Sequence, residues 1–230
     1  LAGLIPVEGV RYVTRNEAGE PVVKMPDDAV LKEATESLGV LPETGMERAQ
    51  GIVLVEGKSD VTFLRHAASS LKQSGMLPAS LEDVKIVPVL IGGCGSVKHW
   101  VTLNLANDLG LPWCVFLDSD IGGDPAQVLS IQKRKKEVED AGKVFFATRK
   151  REIENYLCPD LIEEMTGVAV TFTDTCDAKK IIGRAVGMKP DNVLDKFWPR
   201  MTAERIISRS TYHDGMQERI ELVEILDRKS

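Results

Sequence analysis

Apolar and polar positions alternate regularly from residue 51 onward. Four apolar runs, rich in β-branched and aromatic side chains, predict strands at residues 52–55, 84–91, 113–117 and 144–147. Between the runs, apolar side chains recur every three or four residues, which predicts helices in segments that begin near Ser59, Val97 and Pro125. This β-α-β rhythm predicts an α/β fold in which helices flank a parallel sheet.

The two ends of the chain follow other patterns. Residues 10–13 and 21–25 predict a hairpin, and a helix is expected near residues 28–38. After about residue 160 the strand signal disappears, and three helical patterns follow at residues 177–186, 201–208 and 217–226. We therefore predict a lead-in, an α/β domain and a small C-terminal helical domain, at residues 1–48, 49–160 and 161–230.

Composition places the chain among ordinary globular proteins. Of its 230 residues, 43% are hydrophobic and 28% are charged, which excludes a disordered or fibrous chain. No apolar run approaches the roughly 18 residues that a membrane-spanning helix needs. The four cysteines are far apart in sequence, which favours reduced thiols and a cytoplasmic location. The chain begins with Leu1 and has no signal-peptide pattern, so we expect a piece of a longer protein.

Charge is distributed unevenly along the chain. The net charge is −6, yet residues 130–151 carry eight basic side chains against three acidic ones. A run of this kind is either a solvated helix face or a surface that binds phosphate groups. The candidates for contact with a DNA backbone are Lys133, Arg134, Lys135, Lys136, Arg149 and Arg151.

Acidic side chains follow three of the four predicted strands. Glu56 comes after the first strand, Asp118 and Asp120 directly after the third, and Glu152 and Glu154 just past the fourth. Gly92-Gly93 follows the second strand. Ligands bind beyond the carboxyl ends of the strands in an open parallel sheet. Carboxylates that converge there repel one another unless a cation lies among them, and oxygen ligands of this type select Mg²⁺ or Mn²⁺.

Several other phosphate-handling motifs fail on single residues. A P-loop that ended at Gly57-Lys58-Ser59 would need glycine where Ile52 stands. A phosphatase of the Asp-x-Asp-x-Thr type would need threonine at Gly122. A phosphoacceptor (receiver-like) module remains an alternative, because Thr148 and Lys150 partly match its later strand ends, although Glu152 and Glu154 would then have no function.

Three segments together resemble a known family. Val55-Glu56-Gly57-Lys58-Ser59-Asp60, Ile91-Gly92-Gly93 and Phe116-Leu117-Asp118-Ser119-Asp120 resemble the TOPRIM domain of topoisomerases, bacterial primases and several nucleases. With the later Glu-Ile-Glu-Asn-Tyr segment and the helical tail, the chain is most similar to the nuclease region of the overcoming-lysogenisation-defect (OLD) family. The resemblance covers about residues 50–160. It implies a TOPRIM-like sheet and metal-dependent DNA cleavage, as the nuclease half of a larger phage-defence protein with an amino-terminal ATPase domain.

The resemblance also implies site residues. The family's metal-binding acidic positions match Glu56, Asp60, Asp118, Asp120, Glu152 and Glu154. Two divalent cations, Mg²⁺ or Mn²⁺, would then cleave a phosphodiester bond, with Glu56, Asp60 and Asp118 at one ion and Asp120 with Glu152 or Glu154 at the other. Asp60 also suits the first turn of a helix for electrostatic reasons alone. The family uses a basic residue from its tail, for which we choose Lys196 over Lys180 and Lys189. The sequence-based alternative to an enzyme is a TOPRIM-like module that binds without catalysis.

Overall fold

The computed structural model describes residues 12–15, 20–24, 49–91 and 111–227. The chain divides into two compact units, Leu1–Glu47 and Arg48–Ser230. In the first unit, β1 (Tyr12–Arg15) and β2 (Pro21–Lys24) pair antiparallel, with Tyr12 opposite Lys24, as the hairpin prediction requires. The helix predicted near residues 28–38 lies outside the described residues. So do the Gly92-Gly93 turn and the helix predicted after it.

The second unit contains a four-stranded parallel sheet. Its strands are β3 (Gly51–Val55), β4 (Ile86–Leu90), β5 (Trp113–Leu117) and β6 (Val144–Ala147), in the order β4-β3-β5-β6. β3 is buried along its whole length, which explains its unbroken apolar sequence. Pro88 is tolerated because β4 pairs only with β3 among the described strands. The predicted α/β fold is confirmed.

Two long helices connect the strands in the described part of the chain. Helix α1 (Lys58–Gln73) follows β3, and its apolar face buries Phe63, Leu64 and Leu71. Helix α2 (Pro125–Asp140) follows β5, with Asp124 as its N-cap and Pro125 in its first turn. α2 buries only Ile131 and Val138, so most of its length is open to solvent within the described structure.

Short helices dominate after β6. A 3₁₀ turn at Ile153–Tyr156 is followed by α3 (Pro159–Thr166) and α4 (Ala178–Val186). Two further 3₁₀ turns, Pro190–Asn192 and Trp198–Arg200, flank α5 (Val193–Phe197), and α6 (Ala203–Ser210) comes next. None of the described helices is long and apolar enough to cross a membrane.

The expectation of a purely helical tail is wrong at one place. Residues predicted as a helix at 217–226 begin instead as a strand, because β7 (Thr211–Asp214) and β8 (Gln217–Ile220) form an antiparallel hairpin. The last helix, α7, starts only at Glu221 and ends at Asp227. Gly215 allows the tight turn because it takes a positive φ of 62° at the first central position, as a type II′ hairpin requires.

The helices after β6 pack on the same core as the sheet. Phe63 of α1 stacks on Trp198 with ring centroids 4.4 Å apart, and it also contacts Phe116 of β5 and Tyr156. The Trp198 indole N–H donates to the Phe63 carbonyl oxygen at 3.0 Å. The tail is therefore held against the sheet by buried aromatic contacts. The division at residue 160 stays a prediction.

Candidate active site

The carboxyl ends of the parallel strands bring acidic side chains together at one edge of the sheet. Glu56 follows β3, Asp118 follows β5, and Glu152 and Glu154 belong to the turn after β6. Asp60 reaches this edge from the first turn of α1, where its Oδ2 accepts the Gly57 N–H at 2.8 Å. We call Asp60, Asp118, Glu152 and Glu154 the carboxylate cluster.

Asp118 lies at the electrostatic centre of the carboxylate cluster. Burial raises its pKa well above the usual value, and the negative charges of Asp60, Glu154 and Glu152 raise it further. Its Oδ1 is buried and has no hydrogen-bond partner in the described structure. A buried oxygen without a donor carries a desolvation cost that a bound cation would relieve.

Burial and neighbouring negative charges also raise the pKa of Glu154 and that of Asp60. Burial raises the pKa of Glu154 to about 7, with Glu152 adding to the effect. Burial also raises the pKa of Asp60 to about 6, where the charge of Glu56 contributes. Glu154 Oε2 is the second buried cluster oxygen that has no hydrogen-bond partner among the described residues. Like charges are therefore held together at a cost to the folded protein.

Lys179 supplies the positive charge at the carboxylate cluster. Its ammonium lies 3.3 Å from Glu152 Oε2, and its backbone N–H donates to Glu152 Oε1 at 2.9 Å. Burial acts to lower the pKa of Lys179, but the charges of Glu152, Glu154 and Asp118 outweigh burial and raise it. Each Glu152 oxygen keeps a second lone pair, so the contact with Lys179 leaves it able to bind a cation.

Asp120 lies beside the carboxylate cluster in an unusual backbone conformation. Its φ is +53°, a left-handed value that aspartate tolerates better than most residues. Its N–H donates to the Arg151 carbonyl oxygen at 3.0 Å, and its own carbonyl accepts the Gly123 N–H at 2.9 Å. Burial raises the pKa of Asp120, while the charges of Arg151 and Lys179 act to lower it. Glu56 is exposed at the same edge and interacts electrostatically with Asp60.

The lysine that lies at the carboxylate cluster is not the one chosen on sequence. Lys196 is exposed on α5, and Lys189 is exposed just before the 3₁₀ turn that precedes it. Lys180 pairs with Asp177 at 2.8 Å and is largely exposed. Lys179 is not among the three tail lysines considered from sequence, yet its side chain contacts Glu152.

A sequence signal for Lys179 was available. Asp177 is the N-cap of α4, so Lys179 stands in the first turn of that helix. A positive charge there opposes the helix dipole, which makes a lysine unfavourable unless an acidic partner lies nearby.

The basic residues of the predicted DNA-binding segment divide into two groups. In α2, Arg134 pairs with Glu137 at 2.7 Å, and Lys135 and Lys136 pair with Glu139 and Asp140 one turn later. These pairs are typical of a solvated helix face. Nearer the site, Arg149 stacks on the Tyr212 ring at 3.7 Å, whereas Arg151 lies 3.7 Å from Asp177 and adjoins the Asp120 loop.

The two residues that suggested a phosphoacceptor module have structural partners. Thr148 Oγ1 accepts the Ser119 N–H at 2.9 Å and donates to the Lys150 carbonyl at 2.7 Å. The Lys150 ammonium pairs with Asp174 at 2.8 Å and lies 5.1 Å from the centre of the Tyr156 ring. Neither side chain is arranged to assist phosphorylation of Asp118 or Asp120, which disfavours that alternative.

The carboxylate oxygens of the site suit a divalent cation, although they do not surround a single point. Within the described ranges, no three histidine, cysteine or acidic side chains already have the spacing that would enclose a metal ion. The fit rests on chemistry: buried carboxylate oxygens, two of them without donors, are hard ligands of the kind that Mg²⁺ and Mn²⁺ prefer.

Comparison with known proteins places the first part of this site in a family. Residues 49–120 match the family model described as "Overcoming lysogenization defect protein-like, TOPRIM domain". This segment is an OLD-like TOPRIM domain. It includes Glu56, Asp60, Asp118 and Asp120, whereas Glu152, Glu154 and Lys179 lie beyond the matched residues. The match supports a nuclease-type module for the OLD-like domain.

Solved structures of OLD proteins are similar to the chain at low sequence identity. The C-terminal region of the Burkholderia pseudomallei OLD protein is 16% identical, with 68% of this chain and 90% of that chain covered at a TM-score of 0.43. The C-terminal region of the Xanthomonas campestris pv. campestris OLD protein, phased with iodine, is 15% identical, with 69% and 83% covered at a TM-score of 0.37. Comparison with curated proteins gave no match.

Proposed function

We propose that this OLD-like chain is a divalent-metal-dependent deoxyribonuclease that hydrolyses phosphodiester bonds of DNA. The observation that carries the proposal is the carboxylate cluster, in which buried acidic groups raise one another's pKa and two buried oxygens have no donor. Such a cluster costs folding free energy, and a bound cation accounts for it most simply.

Each acidic residue has a defined place in the proposed site. Glu56, Asp60 and Asp118 would hold one Mg²⁺ or Mn²⁺ ion, and Asp120 with Glu152 or Glu154 would hold a second. Two such ions, when bound, lower the pKa of an attacking water and stabilise the leaving oxygen. The rigid strand ends of β3, β5 and β6 keep the ligands in register, which reduces the reorganisation needed to bind substrate.

Lys179 is the residue we assign to the substrate phosphate. Its ammonium lies at the carboxylate cluster and is half-buried, so it can donate hydrogen bonds to a nonbridging phosphate oxygen as negative charge builds there. Glu152 and Glu154 keep it protonated by raising its pKa. Arg151, beside the Asp120 loop, is placed to contact the neighbouring backbone phosphate.

The proposed biological setting follows the family. By analogy with OLD proteins, we propose that the chain acts as the nuclease part of a larger ATPase-nuclease. Contact with DNA would be made through phosphates and would not read sequence.

A plasmid assay tests the proposal. The purified chain is incubated with supercoiled plasmid in Mn²⁺, in Mg²⁺ and in EDTA, beside an Asp118→Asn variant. We expect nicked or linear product with either ion, none in EDTA and none from the variant. Cleavage that survives both EDTA and Asp118→Asn would come from a different centre or a contaminant. The absence of cleavage of duplex, single-stranded and branched DNA with either ion would contradict the proposed activity.

A further inference from the structure

Asn155 directly follows Glu154 in the turn after β6 and is fully buried. Its Oδ1 accepts the Glu152 N–H at 3.0 Å. Its Nδ2 donates to two carbonyl oxygens far away in sequence, that of Thr173 at 2.7 Å and that of Cys176 at 3.1 Å. Both amide protons and one oxygen lone pair are therefore used, each on a backbone group.

These three bonds join the two parts of the site. Glu152 is the N-cap of the 3₁₀ turn that carries Glu154. Thr173 and Cys176 belong to the loop that leads into α4, where Asp177 caps the helix and Lys179 stands in the first turn. The side chain of Asn155 thus connects the backbone of the acidic turn directly to the backbone that delivers the lysine.

The backbone of Asn155 is also held by a third element. Arg209 of α6 donates to the Asn155 carbonyl oxygen at 2.7 Å. The Arg151 N–H donates to the Asp174 carbonyl at 2.7 Å, a second backbone contact between the same two segments. The acidic turn therefore has a fixed position, and the carboxamide transmits that position to the start of α4.

We propose that Asn155 is a positioning residue that sets Lys179 against the carboxylate cluster. Its effect on catalysis rests on the proposed function, the hydrolysis of DNA. Within the described structure, the Lys179 ammonium forms one ion pair, with Glu152 at 3.3 Å. A displacement of the start of α4 by about 1 Å would move the ammonium away from the substrate phosphate, and misplacement on that scale can lower a rate about a hundredfold.

Two variants separate this role from a general effect on folding. Asn155→Ser is neutral and too short to reach Thr173 and Cys176. Asn155→Asp keeps the acceptor for the Glu152 N–H but turns an oxygen toward the two carbonyl oxygens. Asn192→Asp, at an exposed asparagine in the 3₁₀ turn Pro190–Asn192, is the matched control. Circular dichroism identifies the variants that fold, and if Asn155→Ser does not fold, Asn155→Asp decides the outcome.

The first measurement is a double-mutant cycle on plasmid cleavage with Lys179→Met. We expect Asn155→Ser to lower the cleavage rate about 10- to 100-fold in the parent chain, as for residues that orient a metal site. In the Lys179→Met background the further loss should be less than about threefold, because the residue acts through the lysine. Equal losses in both backgrounds would overturn the proposal, as would a parental rate in Asn155→Ser.

The second measurement does not depend on activity. Lysines are acetylated with limiting reagent in EDTA, and the modification of Lys179 and Lys180 is compared by peptide mass spectrometry. The side chain of Lys179 is 36% exposed and paired with Glu152, whereas that of Lys180 is 59% exposed, so Lys179 should react more slowly in the parent.

In Asn155→Ser the reactivity of Lys179 should rise toward that of Lys180, with Lys180 unchanged. Unchanged Lys179 reactivity would overturn the positioning role. A parent chain that cleaves no DNA, combined with increased Lys179 reactivity in the variant, would contradict the proposed function alone and support the positioning of Lys179 by Asn155.

Discussion

Asp118 combines a strongly raised pKa with a buried oxygen that could bind a cation. Its pKa is raised by burial and by three neighbouring carboxylates, and its Oδ1 has no donor. Such a residue lowers the stability of the metal-free fold. Its charge should therefore support function and oppose stability.

We predict that Asp118→Asn abolishes metal-dependent cleavage and leaves the metal-free protein at least as stable as the parent. The neutral amide removes a repelled charge and one metal ligand while it keeps the shape of the side chain. Plasmid cleavage in Mn²⁺ and thermal unfolding in EDTA measure the two effects. Asp191→Asn, at an exposed position away from the strand ends, is the control. Cleavage at the parental rate would place the centre elsewhere.

A second residue-scale prediction concerns the choice of lysine. Lys179→Met should lower the cleavage rate about a hundredfold or more, since it removes one preorganised positive charge. Lys196→Met and Lys180→Met should change the rate little, because both side chains are exposed and Lys180 pairs with Asp177. Single-turnover cleavage rates at saturating Mn²⁺ compare the three variants. A large loss for Lys196→Met alone would restore the assignment made from sequence.

At the scale of secondary-structure elements, the sequence predicted those parts whose pattern is local. The strand at 113–117 and the strand at 144–147 were predicted at their observed bounds, because each is a short apolar run with a clear start and end. The hairpin β7-β8 was missed because its strands are polar and largely exposed, so periodicity gave little signal. Asp214-Gly215 was the one local clue to its turn.

The candidate site shows the same division between local and nonlocal information. Acidic residues at the ends of β3, β5 and β6 could be placed on one edge from topology alone, since parallel strands share a direction. Lys179 could not, because its contact with Glu152 joins residues 27 apart in sequence, and although Asp177 marks the start of α4, no local pattern relates that helix to the strand ends. Asn155 stands in the Glu-Ile-Glu-Asn-Tyr segment, but its contacts with Thr173 and Cys176 are likewise nonlocal.

Helix α2 carries a prediction of its own. Reversing Lys133, Arg134, Lys135 and Lys136 to glutamate should weaken DNA binding similarly for all sequences, if this face contacts phosphates. Each lost phosphate contact lowers the slope of log affinity against log salt by about 0.9 on duplex DNA. Fluorescence anisotropy over a salt series measures the slope, with Lys85→Glu at the amino end of β4 as control. An unchanged slope would show that this face does not contact phosphates, and that its basic side chains serve the pairs with Glu137, Glu139 and Asp140 within the helix.

At the scale of the whole molecule, the carboxylate cluster predicts an unusual dependence of stability on pH. Folding raises the pKa of Asp60 from 3.8 to about 6 and that of Glu154 from 4.5 to about 7. The folded state therefore binds more protons than the unfolded state between these values. The resulting stabilisation is complete below about pH 4 and is lost as the pH rises through 6 and 7.

We accordingly predict that, in EDTA, the melting temperature is about 3 °C or more higher at pH 5.5 than at pH 7.5, given that about 1 kcal/mol shifts it by 2–4 °C at this chain length. Differential scanning fluorimetry at matched ionic strength measures the difference. Saturating Mg²⁺ should remove or reverse it, because bound cations stabilise the charged carboxylates. Glu154→Gln should flatten the dependence, and an identical slope in that variant would show that other groups cause it.

The position of Glu221 has a practical consequence for anyone who handles the protein. Its carboxylate, at the start of the final helix, accepts the Arg149 N–H at 2.6 Å and the Tyr156 hydroxyl at 2.6 Å. The last described helix is thereby hydrogen-bonded to Arg149, which precedes the turn that carries Glu152 and Glu154, and to Tyr156, which ends it. A shortened version that ends before residue 221 would lose both contacts and loosen the turn that carries Glu152 and Glu154.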